Sequence, residues 1–161
     1  MLSTVVKVTT VDEQREAFGA FVAEVEPRLR RAFTLLRGPE AGSDATAEAL
    51  AWAWEHWAEL EEMANPAGYL YRVGQSRSRW KPECFAPPPT PPDAPGFEPG
   101  LAPALGRLSA RQRTAVVLVH GCGWTHQEVA DALELSRSSV ATHVDRALTQ
   151  LRSELGVDRD G

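Results

Sequence analysis

Nine of the chain's twelve prolines lie between Pro82 and Pro103, in the stretch PECFAPPPTPPDAPGFEPGLAP. Proline removes a backbone donor and blocks helix interiors, so this stretch is neither a helix nor a central strand. A semi-extended connection, partly polyproline in character, is what remains open to it. The chain is therefore expected to fold in two blocks, residues 12–81 and 104–157, joined by a link over 82–103. A docking motif for a proline-binding module is another use of such a composition, but the position between two helical blocks already accounts for it.

Both blocks read as helical. Phe18, Phe21, Val22, Val25, Leu29, Ala32, Phe33 and Leu36 recur at three- and four-residue steps, which predicts a helix with one apolar stripe. Pro27 falls inside it and is expected to bend or break it. After a Gly38-Pro39 turn, Ser43 or Asp44 is expected to cap a helix over ATAEALAWAWEHWAEL. Ala47, Leu50, Trp54 and Trp57 would share its buried face, leaving Trp52 as the better interface candidate. Asn65-Pro66 opens a third helix, AGYLYRVGQSRSRW, with proline in the first turn. Past the link, Ser109 with Gln112 and Thr125 with Glu128 form capping boxes ahead of two more helices, the first ended by Gly121 and Gly123. Ser136 caps a last helix whose buried row is Val140, Val144, Leu148, Leu151 and Leu155. Only Val5 to Val11 hints at a strand, and it is too short to weigh. The expected fold class is all-α, with two small helical domains.

Several functions are set aside by what the chain lacks. No apolar run reaches the eighteen or so residues of a membrane span, and MLSTVVKVTTVDEQREAF does not read as a secretion signal, so the expected address is cytoplasmic. Cys84 and Cys122 have no metal-binding spacing, and His56, His120, His126 and His143 do not cluster, so no metal or other cofactor is expected. No Ser-His-Asp grouping, paired-carboxylate site or phosphate-cradling loop argues for an enzyme. The net charge of −5 counts at first against a nucleic-acid partner. It is unevenly spread: residues 1–81 carry 10 basic and 12 acidic groups, residues 104–161 carry 7 of each, and the remaining −3 lies between them. Any DNA contact must use a local basic stripe rather than the overall charge.

The stretch THQEVADALELSRSSVATHVDRALTQLRSEL brings two helical patterns together at a three-residue corner, Glu134-Leu135-Ser136. A helix-turn-helix needs a small residue at the crossing, a tight corner and apolar residues that lock the angle. Ala130 supplies the first, Leu133 and Leu135 flank the second, and Val140 and Val144 fall where the second helix must face inward. Arg137, Ser138, Ser139, Thr142, His143 and Arg146 are left facing out, and each can donate a hydrogen bond to a phosphate or base edge. Glu134 stands where such corners often place a glycine with positive φ, a geometry that would cost glutamate about 1 kcal/mol. A hairpin that only packs its apolar faces would carry more glutamate and lysine on that edge.

LGRLSARQRTAVVLVHGCGWTHQEVADALELSRSSVATHVDRALTQLRSEL resembles region 4, the promoter-binding domain of bacterial sigma factors of the extracytoplasmic-function group. AFVAEVEPRLRRAFTLLRGPEAGSDATAEALAWAWEHW and NPAGYLYRVGQSRSRW are similar to region 2 of the same family. The resemblance spans residues 16–81 and 101–156. It implies binding to core RNA polymerase, reading of the −35 promoter element by region 4, and capture and opening of the −10 element by region 2. By position, Arg137, Ser138, Ser139, Thr142, His143 and Arg146 would face the −35 duplex. Tyr69, Tyr71, Arg72, Arg77, Arg79 and Trp80 match the −10 side, where rings can stack on unpaired bases and arginines neutralise the backbone. Asp44, Glu48, Trp52 and Glu55 lie on the helix that matches the polymerase-binding surface. An inhibitory anti-sigma partner is a further implication of the family.

The chain departs from the family pattern at definite places. Where members carry a dense acidic-polar signature with an amide, this chain reads SDATAEALA, keeping Asp44 and Glu48 only. Pro82 cuts off the −10 helix after Lys81, and Ala141 and His143 stand where lysine or arginine is common. These changes bear on strand opening more than on duplex binding. They leave two other readings open: a stand-alone helix-turn-helix regulator that binds duplex DNA without opening it, and a protein-interaction module with vestigial DNA binding.

Overall fold

A computed structural model describes residues 10–78, 85–86 and 98–157. Among them are eight α-helices, one π-helical turn and no strand, in keeping with the expected all-α class. The N-terminal group comprises α1 (Val11–Arg37), α2 (Pro39–Glu55), α3 (Trp57–Glu61) and α4 (Pro66–Arg77). The C-terminal group comprises α5 (Leu101–Arg107), α6 (Ala110–Val116) continued by the π turn Val117–Gly121, α7 (His126–Leu133) and α8 (Arg137–Leu155). The second group starts earlier than residue 104, because Pro103 falls in the first turn of α5, where a missing N–H costs nothing.

Local chemistry sets the helix starts. Thr10 caps α1 in a reciprocal box with Glu13, so Val11 begins a helix rather than ending a strand; residues 5–9 lie outside the described residues. The helix continues through an exposed Pro27 without the expected break. The boxes at Ser109–Gln112 and Thr125–Glu128 and the cap at Ser136 form as expected, and the Asn65 side chain caps α4 ahead of Pro66. Buried Arg37, its guanidinium lowered to about 10 by burial, lies 4.7 Å over the Phe33 ring and donates to Ser78 Oγ at 2.5 Å. That contact ties the end of α1 to the end of α4.

The second helix corrects the expectation in two ways. It starts at Pro39 rather than being capped by Ser43 or Asp44, and it breaks at His56 instead of running to Leu60. Its buried face is Gly42, Ala45, Thr46, Ala49 and Ala53, not the large residues. The reason is close approach: a Cβ on Gly42 would lie 2.8 Å from the Thr34 backbone nitrogen, so only small side chains fit between α1 and α2. The tryptophans are pushed to the rim. Trp54, expected in the core, is 46% exposed and packs on Phe18 at 5.0 Å, while Trp57 meets Phe21 at 5.1 Å. Trp52, expected outside, is half-buried and stacks on His56 at 4.0 Å.

Phe33, Leu29, Leu36, Leu70 and Tyr71 fill the N-terminal core, and Leu118, Val129, Val140 and Ala147 fill the C-terminal one. The two are continuous, since α4 packs on α7 and α1 on the π turn. We expect Gly42→Val to destabilise the fold by about 1–3 kcal/mol through overpacking of the α1–α2 seam. Chemical denaturation checks this, and an unchanged midpoint would mean that the seam can part without cost.

Candidate nucleic-acid interface

The corner between α7 and α8 is as tight as its sequence implies. Glu134 ends α7 in the left-handed region at φ 56° and ψ 45°, donating its N–H to the Ala130 carbonyl. The Leu135 N–H reaches the same carbonyl at 2.9 Å. Ala130 is buried at the crossing, and Ser136 Oγ accepts from the Ser139 N–H at 3.1 Å to start α8. Val140, Val144, Ala147 and Leu151 turn inward.

The opposite edge of α8 is turned out. Arg137, Ser138, Thr142 and Arg146 are exposed, and Ser139 and His143 half-buried. Their freedom to bond is unequal. Ser136 Oγ donates to Ser139 Oγ at 2.9 Å, and Thr142 Oγ1 donates to the Ser138 carbonyl at 3.0 Å, so part of the hydroxyl set is already engaged. Arg137 and Arg146 make no ion pair among the described residues and are the strongest free donors of the edge.

The residues matched to the −10 side do not form one surface. Tyr71 is fully buried, stacked on Phe33 at 4.9 Å, and burial pushes its hydroxyl pKa well up; in this arrangement it is core and cannot reach a base. Tyr69 is half-buried, 5.2 Å from Trp52, and carries the Arg72 guanidinium 4.9 Å above its ring. Arg72 also donates to Glu134 Oε1 at 2.7 Å. Arg77 is exposed. Arg79 and Trp80 lie outside the described residues. On α2, Asp44, Glu48 and Glu55 are exposed and Trp52 is half-buried.

A seam between the two helical groups was not foreseen. Besides the Arg72–Glu134 pair, Arg28 pairs with Glu128 and lies 5.2 Å over the Trp124 ring. Arg31 donates to the Gly121 carbonyl at 3.0 Å, and Asn65 to Asp131 at 3.0 Å. Tyr71 meets Trp124 edge-on at 5.8 Å. A groove of about 640 Å³ opens at one end of the seam, with Tyr69, Arg72, Arg111 and Glu134 in its walls. These partners lie tens of residues apart in sequence, and no local spacing announces them.

The comparisons divide along the same seam. Residues 104–153 match the family described as Sigma-70, region 4. The match covers the C-terminal helices from within α5 to near the end of α8. Over the longer span, the fold is shared with the sigma factor RpoE of Bartonella quintana, solved with the anti-sigma factor NepR. That likeness has a TM-score of 0.71 at 23% identity and covers 89% of this chain and 99% of that one. CnrH, solved with the cytosolic domain of CnrY, has a TM-score of 0.61 at 24% identity, covering 89% and 90%. No curated protein matches the chain in sequence. Among the described residues, no helix is long and apolar enough to cross a membrane. The stretch that matches region 4 is thus joined to a second helical group in a fold shared with these two proteins, and α8 keeps its outer edge clear of that group.

The seam should respond to acid. Burial works to raise the Glu128 pKa, but hydrogen bonds from Arg28 and Thr125 outweigh it and hold the carboxyl below its usual 4.5. A depressed carboxyl stabilises the folded form above its unfolded pKa, and the contribution fades as pH falls through the folded value. We expect contact between the groups to be unchanged from neutral pH to about 5 and to loosen below 4.5. Small-angle scattering across that range checks this, with Glu128→Gln expected to remove the acid step.

Proposed function

We propose that the chain is a sigma factor that binds core RNA polymerase and directs promoter-specific transcription initiation. In this reading α8 reads the −35 element through Arg137, Ser138, Ser139, Thr142, His143 and Arg146. Tyr69, Arg72, Arg77, Arg79 and Trp80 serve the −10 element, and Asp44, Glu48, Trp52 and Glu55 meet the polymerase. The observation that carries it is the exposed, donor-rich edge of α8 in the stretch that matches region 4, where neither arginine makes an ion pair among the described residues. The fold shared with RpoE, solved beside the anti-sigma factor NepR, supports extending the reading to a partner of that kind. The chemistry needs no catalytic group of the chain's own, because base readout and positioning on the polymerase are binding events.

The decisive experiment is transcription in vitro with matching core polymerase on a promoter library. Initiation from a defined set of promoters is the expected result, and its absence would sink the assignment. Arg137→Ala and Arg146→Ala should each weaken duplex binding by about 1–3 kcal/mol if the side chain reaches a base edge. If it reaches a phosphate instead, the salt slope should fall by about one unit. Titration at several salt concentrations tells the two contacts apart.

A second reading has its own support. Tyr71 is buried and Arg72 is engaged by Glu134, so two residues matched to the −10 side are occupied in this arrangement. A stand-alone duplex-binding regulator would be built that way. It predicts duplex binding without polymerase and no complex with the core enzyme, so copurification with polymerase subunits would reject it.

A further inference from the structure

The two helical groups meet through a continuous core, the polar pairs and the Tyr71–Trp124 ring contact, and a short piece of the proline-rich segment also touches both. Ala86 donates its N–H to the Leu36 carbonyl at 3.1 Å. Leu36 lies in the last turn of α1, where carbonyls have no helical partner, so the segment supplies a donor that α1 cannot supply itself. Ala86 comes this close because the next corner is glycine. Gly38 has φ 83°, and a Cβ there would stand 3.3 Å from the Ala86 carbonyl oxygen.

The residue before it faces the other group. The Arg113 guanidinium lies 4.9 Å over the ring of half-buried Phe85. Arg113 is itself buried and held in place, donating to the Leu105 and Leu108 carbonyls at 3.4 and 3.1 Å. It is a fixed cation that joins α5 to α6. Gly106 lies beside the ring, where even a Cβ would make an ordinary contact at 3.9 Å from Phe85 Cδ1. Two adjacent residues therefore bind one helical group each.

We propose that Phe85 and Ala86 form an intramolecular clasp that holds the two helical groups closed against each other. With Ala86 on α1 and Phe85 on α6, the groups are joined across two residues instead of across the whole segment from Ser78 to Leu101. A shorter tether raises the effective concentration of each face of the seam for the other. The clasp also sets what closure hides. While it is docked, Arg72 stays on Glu134 and Tyr71 against Trp124. Undocking is the step that lets these side chains leave their present partners. An aromatic ring suits a clasp, because it can give one strong contact to a fixed cation.

The test uses the free full-length chain without polymerase or DNA, so it stands apart from the sigma-factor reading. In the wild type, amide exchange at Ala86 and the radius of gyration from small-angle scattering report closure. Phe85→Ala removes the ring and Phe85→Trp keeps one. Ala86→Pro deletes the N–H that reaches Leu36. Phe85→Ala should speed exchange at Ala86 about tenfold, as the loss of one half-buried cation–π contact implies, and increase the radius of gyration. Phe85→Trp should stay closed, and Ala86→Pro should expand the chain as Phe85→Ala does. Circular dichroism should be the same in all four proteins, which separates opening from unfolding. An unchanged radius of gyration in either Phe85→Ala or Ala86→Pro overturns the clasp, as does opening by Phe85→Trp to the extent of Phe85→Ala.

Discussion

Tyr71 touches two rings, Phe33 stacked at 4.9 Å and Trp124 edge-on at 5.8 Å, and the contact between the helical groups runs through it. Phe33 belongs to α1, Tyr71 to α4 and Trp124 to the approach to α7, so the three rings link the N-terminal core to the C-terminal helices. Ring pairs of this kind contribute about 0.5–1.5 kcal/mol beyond their burial. The contact is costly in another respect. The Tyr71 hydroxyl and the Trp124 indole N–H are buried with no hydrogen-bond partner among the described residues, and a buried group left so costs about 1–3 kcal/mol. A seam made this way is held less firmly than a core of the same size.

Electrostatics give the seam a direction. The N-terminal group contributes the cations Arg28, Arg31 and Arg72, and the C-terminal group answers with Glu128, the Gly121 carbonyl and Glu134. Glu134 serves two purposes at once: it turns the corner in a left-handed conformation and presents its carboxylate to Arg72. The strain at the corner, about 1 kcal/mol for a residue with a Cβ, is therefore coupled to the contact between groups. Glycine would turn the corner more easily and could not reach across.

How much of this was readable in advance depended on the range of the interaction. Caps and corners are local, and Thr125, Ser136 and Ala130 have the roles their spacing implies. The α1 stripe was legible because large apolar residues repeat on one face. The α2 face was missed for the opposite reason: weighing side-chain size favoured Trp54 over the Gly42–Ala45–Ala49–Ala53 row, although that row repeats at the same three- and four-residue steps. Small residues at helical spacing signal close approach as well as large ones signal a core. The outward edge of α8 could be read from the inward row of Val140 and Val144. The burial of Tyr71 could not, because Trp124, which covers it, lies on the far side of the proline-rich segment and no periodicity links the two.

The seam also separates two kinds of access. The outer edge of α8 is exposed while the groups are closed, so Arg137 and Arg146 are available to a duplex without any rearrangement. Arg72 and Tyr71 are not, since each is engaged across the seam. In a chain of net charge −5, the closed form also leaves Arg28, Arg31 and Arg72 satisfied by internal acceptors, which lowers the positive charge it can offer to a phosphate backbone. On the sigma-factor reading, duplex recognition and strand capture then belong to different conformations of one molecule. A polyanion that competes with Glu128 and Glu134 for those arginines favours the open form in proportion to its preference for it, because a ligand shifts such an equilibrium only by binding one state more tightly than the other. Nucleic acid would therefore be both the target of the released arginines and a force that keeps them released.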